Sequence, residues 1–372
     1  MNHAPSPSNF TAEPLPTRGG IDCDVHPPAP ETDALMPYLD DFWRQSFEMR
    51  GFNRLNLAMT ASPPNAPINK RPDWVGRDGE APIDTVRRAV FDELGASLAI
   101  CNPLHGAQIL HSDDMGAVLC RAVNDWLAEH WLDRDSRLRG SIVISAQNAE
   151  LAVEEIERRA ADTRFVQILL LSMNDEPLGR RRYWPIYEAA QRHDLPVAIH
   201  AGGSYRHAPT ATGWPSHVIE DYIAQAAIAE SQLLSLVAEG VFARFEAIRF
   251  VFAETGFMWV PSFFWRADKT WRGTRAETPW IKQPPSELVK RHVRFTIQPA
   301  DALEASQIER TLVHLDCDDL LLYASDFPHW HFDGQAALPA AFGAELGRKI
   351  LRDNPLATYP RLREALAKEQ TA

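Results

Sequence analysis

FVQILLL (165–171), WPIYEAAQRH (184–193) and PVAIHAGG (196–203) follow one another closely and decide the architecture. The outer two runs are short, continuously apolar and rich in Val, Ile and Leu. That is the pattern of parallel strands covered on both faces rather than of a half-solvated strand. The middle run places its apolar residues at helical spacing. Together they read as a strand, a crossover helix and a parallel strand.

The same alternation extends in both directions. Upstream stand IDCDVH (21–26), SLAICNP (97–103) and LRGSIVIS (138–145); downstream stand IRFVFAET (248–255), VRFTIQP (293–299) and LLLYASDFP (320–328). Helix-like segments at 115–131, 148–161, 216–240 and 301–315 separate them. Eight strands with intervening helices predict an α/β fold, a (β/α)8 TIM barrel in preference to an open sheet. Residues 1–20, rich in Pro and Ser, read as a flexible arm, and 21–372 as a single barrel domain. The stretch 27–96 is too long for an ordinary connection after the first strand, and reads as an insertion forming a lid or wall of the site.

Composition narrows the class further. The 372 residues are 45% hydrophobic and 24% charged, so the chain can bury a large core and is not of the disordered type. A net charge of −12 argues against nucleic acid or an anionic membrane as the main partner. No run of about 20 apolar residues is present to span a bilayer. Cys23, Cys101, Cys120 and Cys317 are far apart and form no CxxC pair, which fits a reducing cytoplasm. The N-terminus lacks the basic and apolar regions of a secretory signal.

In a barrel of this kind the ligand site forms at the carboxyl ends of the strands. The first run ends in Asp24-Val25-His26, which puts both polar side chains on one face. The fifth ends in His200 before Ala201-Gly202-Gly203, the sixth in Glu254, and the eighth in Asp326 before Phe327-Pro328-His329. Imidazole nitrogen with carboxylate oxygen is the donor set of Zn2+ or Mn2+. Each element alone is a weak signal, because a histidine at a strand end is commonly a hydrogen-bonded core residue. The four strand ends together are the signal.

In order and wording these motifs resemble the amidohydrolase-2 family, which contains aminocarboxymuconate-semialdehyde and γ-resorcylate decarboxylases. The resemblance runs through IDCDVHP from 21, NDWLAEHWLDRDSRLRGSI (124–142), VAIHAGG, FVFAETGFMWVPSFFWRAD (251–268) and LLYASDFPHWHFD (321–333). It implies a metal-dependent TIM barrel with one divalent metal, zinc (Zn2+) first and manganese (Mn2+) second, held by Asp24, His26, His200 and Asp326. Two departures stand out. Many members carry H-x-H where this chain has Asp24-x-His26, so either Asp24 is a ligand, as in some decarboxylases, or only the other three bind. The catalytic histidine that well-described members place at the end of strand six is here Glu254.

Glu254 and Asp326 are therefore the catalytic candidates. The resemblance implies a carboxy-lyase acting non-oxidatively on an aromatic or unsaturated carboxylic acid. The alternatives are a metal-dependent hydrolase of an amide, lactone or C–C bond, and a metal-binding barrel without catalysis. No GxGxxG or GxxxxGK[ST] follows a strand, which disfavours a nucleotide enzyme. A small acidic substrate calls for cationic and aromatic company. His329, Arg50, Trp214 and Trp330 are the substrate-binding candidates, with Arg44, Arg54, Arg206 and His331 behind them. The resemblance also implies a homodimer or homotetramer.

Overall fold

A computed structural model of the chain describes residues 13–52, 70–202, 207–302, 304–329 and 337–363. Each of the eight expected strands is present: β1 (Ile21–Val25), β2 (Leu98–Cys101), β3 (Leu138–Val143), β4 (Phe165–Leu171), β5 (Val197–His200), β6 (Phe250–Ala253), β7 (Val293–Thr296) and β8 (Leu321–Leu322). They pair in parallel and in sequence order, from β1 to β8. The two ends of the sheet then meet. Val25 bridges Phe327 in parallel, while the N–H groups of Cys23 and His26 donate to the carbonyls of Tyr323 (3.0 Å) and Phe327 (2.7 Å). This seam makes the sheet a barrel, and it lies between the two strands that carry Asp24 and Asp326.

Helices Asp113–Leu127, Ala149–Arg159, Trp184–Arg192, Val218–Ala238 and Ala305–Leu315 occupy the expected crossovers. Local chemistry sets several of their starts. Asn148 Oδ1 accepts from the N–H groups of Glu150 (3.0 Å) and Leu151 (3.2 Å), supplying partners that the first turn lacks. The segment expected as one helix over 115–131 continues from Leu127 as a wider π turn, Ala128–Leu132. Near the C-terminus stand a π turn, Lys349–Asp353, and the short helix Asn354–Thr358.

Between the strands and the helices lies a continuous apolar layer. It includes Phe165, Ile168, Val197, Phe250, Phe252 and Phe295, each fully buried. The described part of the stretch 27–96 packs on the barrel, with Leu35, Leu39 and Phe47 in one buried cluster with Ile21 and Leu98. Its helix Asp41–Arg50 starts at Asp40, whose Oδ1 accepts from Trp43 N–H (2.9 Å), and stops at Gly51, whose φ of 61° suits glycine. Past the undescribed residues 53–69, Lys70 pairs with His329 in an antiparallel bridge. Arg71 N–H donates to the Pro328 carbonyl (2.9 Å), and the buried Trp74 ring packs 5.6 Å from that of Phe327. The insertion is thus fastened to the segment that follows β8.

Asp22 sits inside the same seam. It is fully buried, and its Oδ1 accepts from the N–H groups of Ser325 (3.0 Å) and Asp24 (3.3 Å). Burial raises its pKa to about 7, against the partial relief of those hydrogen bonds. The folded state therefore holds a proton between about pH 4 and 7 that the unfolded chain releases, and Asp22 lowers stability progressively as pH rises through that window. Asp22→Asn removes the effect. In chelator-treated protein, urea unfolding should show the variant gaining on wild type from pH 4 to 8, by up to about 4 kcal/mol. A constant difference across that range would mean Asp22 is ionised in the fold.

Candidate metal centre

Two strand ends, those of β1 and β5, and the turn after β8 bring the expected side chains to one place. Asp24, His26, His200 and Asp326 each offer an oxygen or nitrogen, and these atoms all lie within 4.8 Å of one another. Asp24, His200 and Asp326 are fully buried and His26 is 5% exposed. His26 Nε2 stands 3.2 Å from Asp24 Oδ1 and 2.8 Å from Asp326 Oδ1. His200 Nε2 stands 3.3 Å from Asp24 Oδ2.

Two carboxylates this deeply buried require positive charge beside them. Burial disfavours the His26 imidazolium, yet Asp24 and Asp326 override it and raise its pKa to about 10. His200 shifts the same way, with Asp24 overcoming burial. For Asp24 burial favours the neutral form, but His200 and His26 draw its pKa down. A divalent cation supplies this charge directly and displaces the protons from the imidazoles.

Hydrogen bonding supports the same reading. Asp24 Oδ2 and His200 Nε2 are both buried and have no hydrogen-bond partner, and they face each other across the cluster. Their companions are already committed. His26 Nδ1–H donates to the Asn102 carbonyl (2.8 Å), and His200 Nδ1 is held by the Ala201 carbonyl. Each ring therefore turns its Nε2 inward, where a cation that displaces its proton would find a ligand. The set of two imidazole nitrogens and two carboxylate oxygens fits zinc or manganese.

Glu254 and His329 form the outer side. His329 Nδ1 is 3.2 Å from Asp326 Oδ1 and 3.8 Å from Glu254 Oε2, while His200 Nε2 is 3.7 Å from Glu254 Oε2. The His329 ring lies 4.7 Å from that of His26. Unlike the four inner groups, their side chains keep access to solvent, 15% for Glu254 and 28% for His329. Both Glu254 (φ 53°) and Asp326 (φ 55°) occupy the left-handed region, which costs a non-glycine residue about 1 kcal/mol or more. At Glu254 the turn is held by its own N–H, which donates to Thr296 Oγ1 (3.0 Å).

The substrate-binding candidates are less gathered. Arg50 is exposed in the last turn of Asp41–Arg50, and among the described residues it bonds to no member of the cluster. The sequence places it in the right insertion, but the helix turns it to solvent. Trp214 is 54% exposed. Arg44 pairs with Asp41 on the same exposed helix. Trp330, Arg54, Arg206 and His331 lie outside the described residues.

Sequence reasoning passed over Asn102, at the end of β2. Its Nδ2 donates to Asp24 Oδ1 (2.8 Å). The signal was available, since the strand-end rule that flags His200 applies equally to Cys101-Asn102-Pro103. Ser141 and Gln167, polar residues inside apolar strands, were a second clue.

Comparison with known proteins agrees with this geometry. A family described as Amidohydrolase matches residues 21–361. A γ-resorcylate decarboxylase of Polaromonas sp. (strain JS666 / ATCC BAA-500) is 25% identical over 228 residues, 58% of this chain and 68% of that protein. The crystal structure of 5-carboxyvanillate decarboxylase LigW from Sphingomonas paucimobilis superposes with a TM-score of 0.65 at 18% identity, covering 92% of this chain and 99% of that one. A dihydroxybenzoic acid decarboxylase from Polaromonas sp. JS666, solved with bound manganese, gives a TM-score of 0.63 at 18% identity, covering 92% and 97%. With a parallel eight-stranded barrel and two histidines and two aspartates gathered at its mouth, the chain belongs to the amidohydrolase-2 family of metal-dependent enzymes.

Proposed function

We propose that the protein is a metal-dependent carboxy-lyase that removes CO2 non-oxidatively from an aromatic or unsaturated carboxylic acid. The observation that carries this is the pair of buried donors, Asp24 Oδ2 and His200 Nε2, which stand 3.3 Å apart without forming a hydrogen bond inside a two-aspartate, two-histidine cluster. Decarboxylase relatives in sequence and fold favour this chemistry over hydrolysis. Zinc suits the donor set first. Manganese stands close behind, because the site is half oxygen and a related fold carries that metal.

When bound, the ion supplies a fixed positive charge that anchors and polarises an oxyanion of the substrate. The chain's own groups do the rest. Loss of CO2 breaks the bond from the substrate carbon to its carboxylate and leaves the electron pair on that carbon, which takes up one proton. Glu254 and His329 face the open side of the cluster, so a substrate above the metal meets them first. His329 Nδ1 stands 3.2 Å from Asp326 Oδ1 and 3.8 Å from Glu254 Oε2, so the three titratable groups that could supply the proton are gathered on that side.

Asp24, Asp326 and Glu254 bring three negative charges against two from the ion. An anionic substrate therefore needs a further cation from the chain or from a second copy. In this reading the 27–96 insertion is a wall of the substrate cavity, supported by its bridge to His329 and its packing on Phe327. The partner is a small acidic molecule, and the protein works as a homodimer or homotetramer in the cytoplasm. Among the described residues no helix is long and apolar enough to cross a membrane.

Purified protein should contain one divalent ion per chain by elemental analysis, and His200→Ala should lose it; a variant with full metal content would remove His200 from the site. Glu254→Gln should keep the metal and slow turnover by about 10² or more. Unchanged turnover would make Glu254 a support for the ligands. Scored against hydroxybenzoates, lactones and amides, the reaction should release CO2. Consumption of water without CO2 would replace the lyase with a hydrolase.

A further inference from the structure

We propose that Asn102 is the residue that positions the metal ligands of β1, through a hydrogen-bonded line crossing the barrel interior from β4 to β1. The inference rests on the reading of Asp24, His26, His200 and Asp326 as ligands of a divalent ion.

Asn102 acts on both β1 ligands at once. Its side-chain Nδ2 donates to Asp24 Oδ1 (2.8 Å), and its main-chain carbonyl accepts His26 Nδ1–H (2.8 Å). The first contact engages one oxygen of the Asp24 carboxylate and leaves the other, Oδ2, buried and unpartnered beside His200 Nε2. The second fixes a proton on His26 Nδ1 and turns Nε2 to the cluster, 2.8 Å from Asp326 Oδ1. One residue of β2 thus selects which atom each β1 side chain presents.

The orientation of the Asn102 amide is itself determined. Its Oδ1 accepts from Ser141 Oγ on β3 and from Gln167 Nε2 on β4 (2.9 Å), and Gln167 Nε2 also donates to Ser141 Oγ (2.9 Å). A reversed amide would set its NH2 against these donors and its oxygen against the Asp24 carboxylate. Asn102 and Ser141 are 0% exposed and Gln167 is 1% exposed. Such a line has a cost, because Gln167 Oε1 is left buried without a hydrogen bond. Apolar residues would fill these positions with no such loss. The line ends on the carboxylate of a ligand, at the oxygen opposite the one presented to the cluster, so its effect belongs on the metal more than on the fold.

The test uses the full-length, chelator-treated protein titrated with Co2+ alone, read by affinity and by the visible spectrum of the bound ion. Asn102→Ala keeps the main-chain carbonyl for His26 but frees Asp24 to rotate and offer both oxygens. It should weaken Co2+ binding about 10- to 100-fold, the usual scale for an outer-shell partner, and change the spectrum. Ser141→Ala, which removes one hydroxyl two steps from the metal, should weaken binding several-fold in the same direction. Wild-type affinity and spectrum in Asn102→Ala would overturn the proposal, even if that variant is less stable. Should Asn102→Ala fail to fold, Ser141→Ala decides alone, and an affinity within twofold of wild type refutes the line. A wild-type protein that binds no Co2+ removes the metal reading and this inference together, whereas tight wild-type binding matched by both variants removes only the role of Asn102.

Discussion

Mutual neutralisation of buried charge at the barrel seam is the constraint on which the rest of this structure depends. Asp24 and Asp326 come from opposite edges of the sheet, and closing the barrel drives them together where neither has exposed surface. Only positive charge between them makes that closure favourable. The imidazoles of His26 and His200 provide it as protonated rings, and a divalent ion provides it with better geometry. Fold and function are therefore coupled at one point, since the contacts that complete the barrel also assemble the donors.

That coupling explains where the strain sits. Glu254 and Asp326 both take left-handed backbone conformations at strand ends, where a regular continuation would carry their side chains elsewhere. The surrounding bonds hold them there: Thr296 Oγ1 takes the Glu254 N–H, and the His329 N–H donates to the Asp326 carbonyl (2.7 Å). Strained turns at the mouth of a rigid barrel are a recurrent way of aiming functional groups. Here they divide labour between a fully buried inner set and an outer pair, Glu254 and His329, within reach of a substrate.

Much of this was legible in the sequence, and for physical reasons. Parallel strands buried on both faces leave a continuous apolar signature, so each of the eight runs was readable. A charged residue at the end of such a run is conspicuous, which marked Asp24, His26, His200, Glu254 and Asp326. What stayed hidden is what carries no such signature. The Asn102 amide is ordinary in composition, and its importance lies in hydrogen bonds to residues on three other strands. The length of the 27–96 excursion announced a role, but its helical rotation could not be read, and Arg50 points to solvent. Asp22, inside the first apolar run, carries no mark in the sequence that separates it from Asp24. Only the seam shows it working as an acceptor for two backbone N–H groups.

The depth of the inner donors has a kinetic side. Asp24, His200 and Asp326 have no exposed surface and His26 almost none, so an ion reaches them more slowly than it would reach a surface site. Exchange must pass Glu254 and His329, or wait for the seam between β1 and β8 to open, and the fastening of Lys70, Arg71 and Trp74 to the loop after β8 resists that opening. The same side that admits substrate is then the doorway for the metal, so Glu254 and His329 stand at the threshold of both.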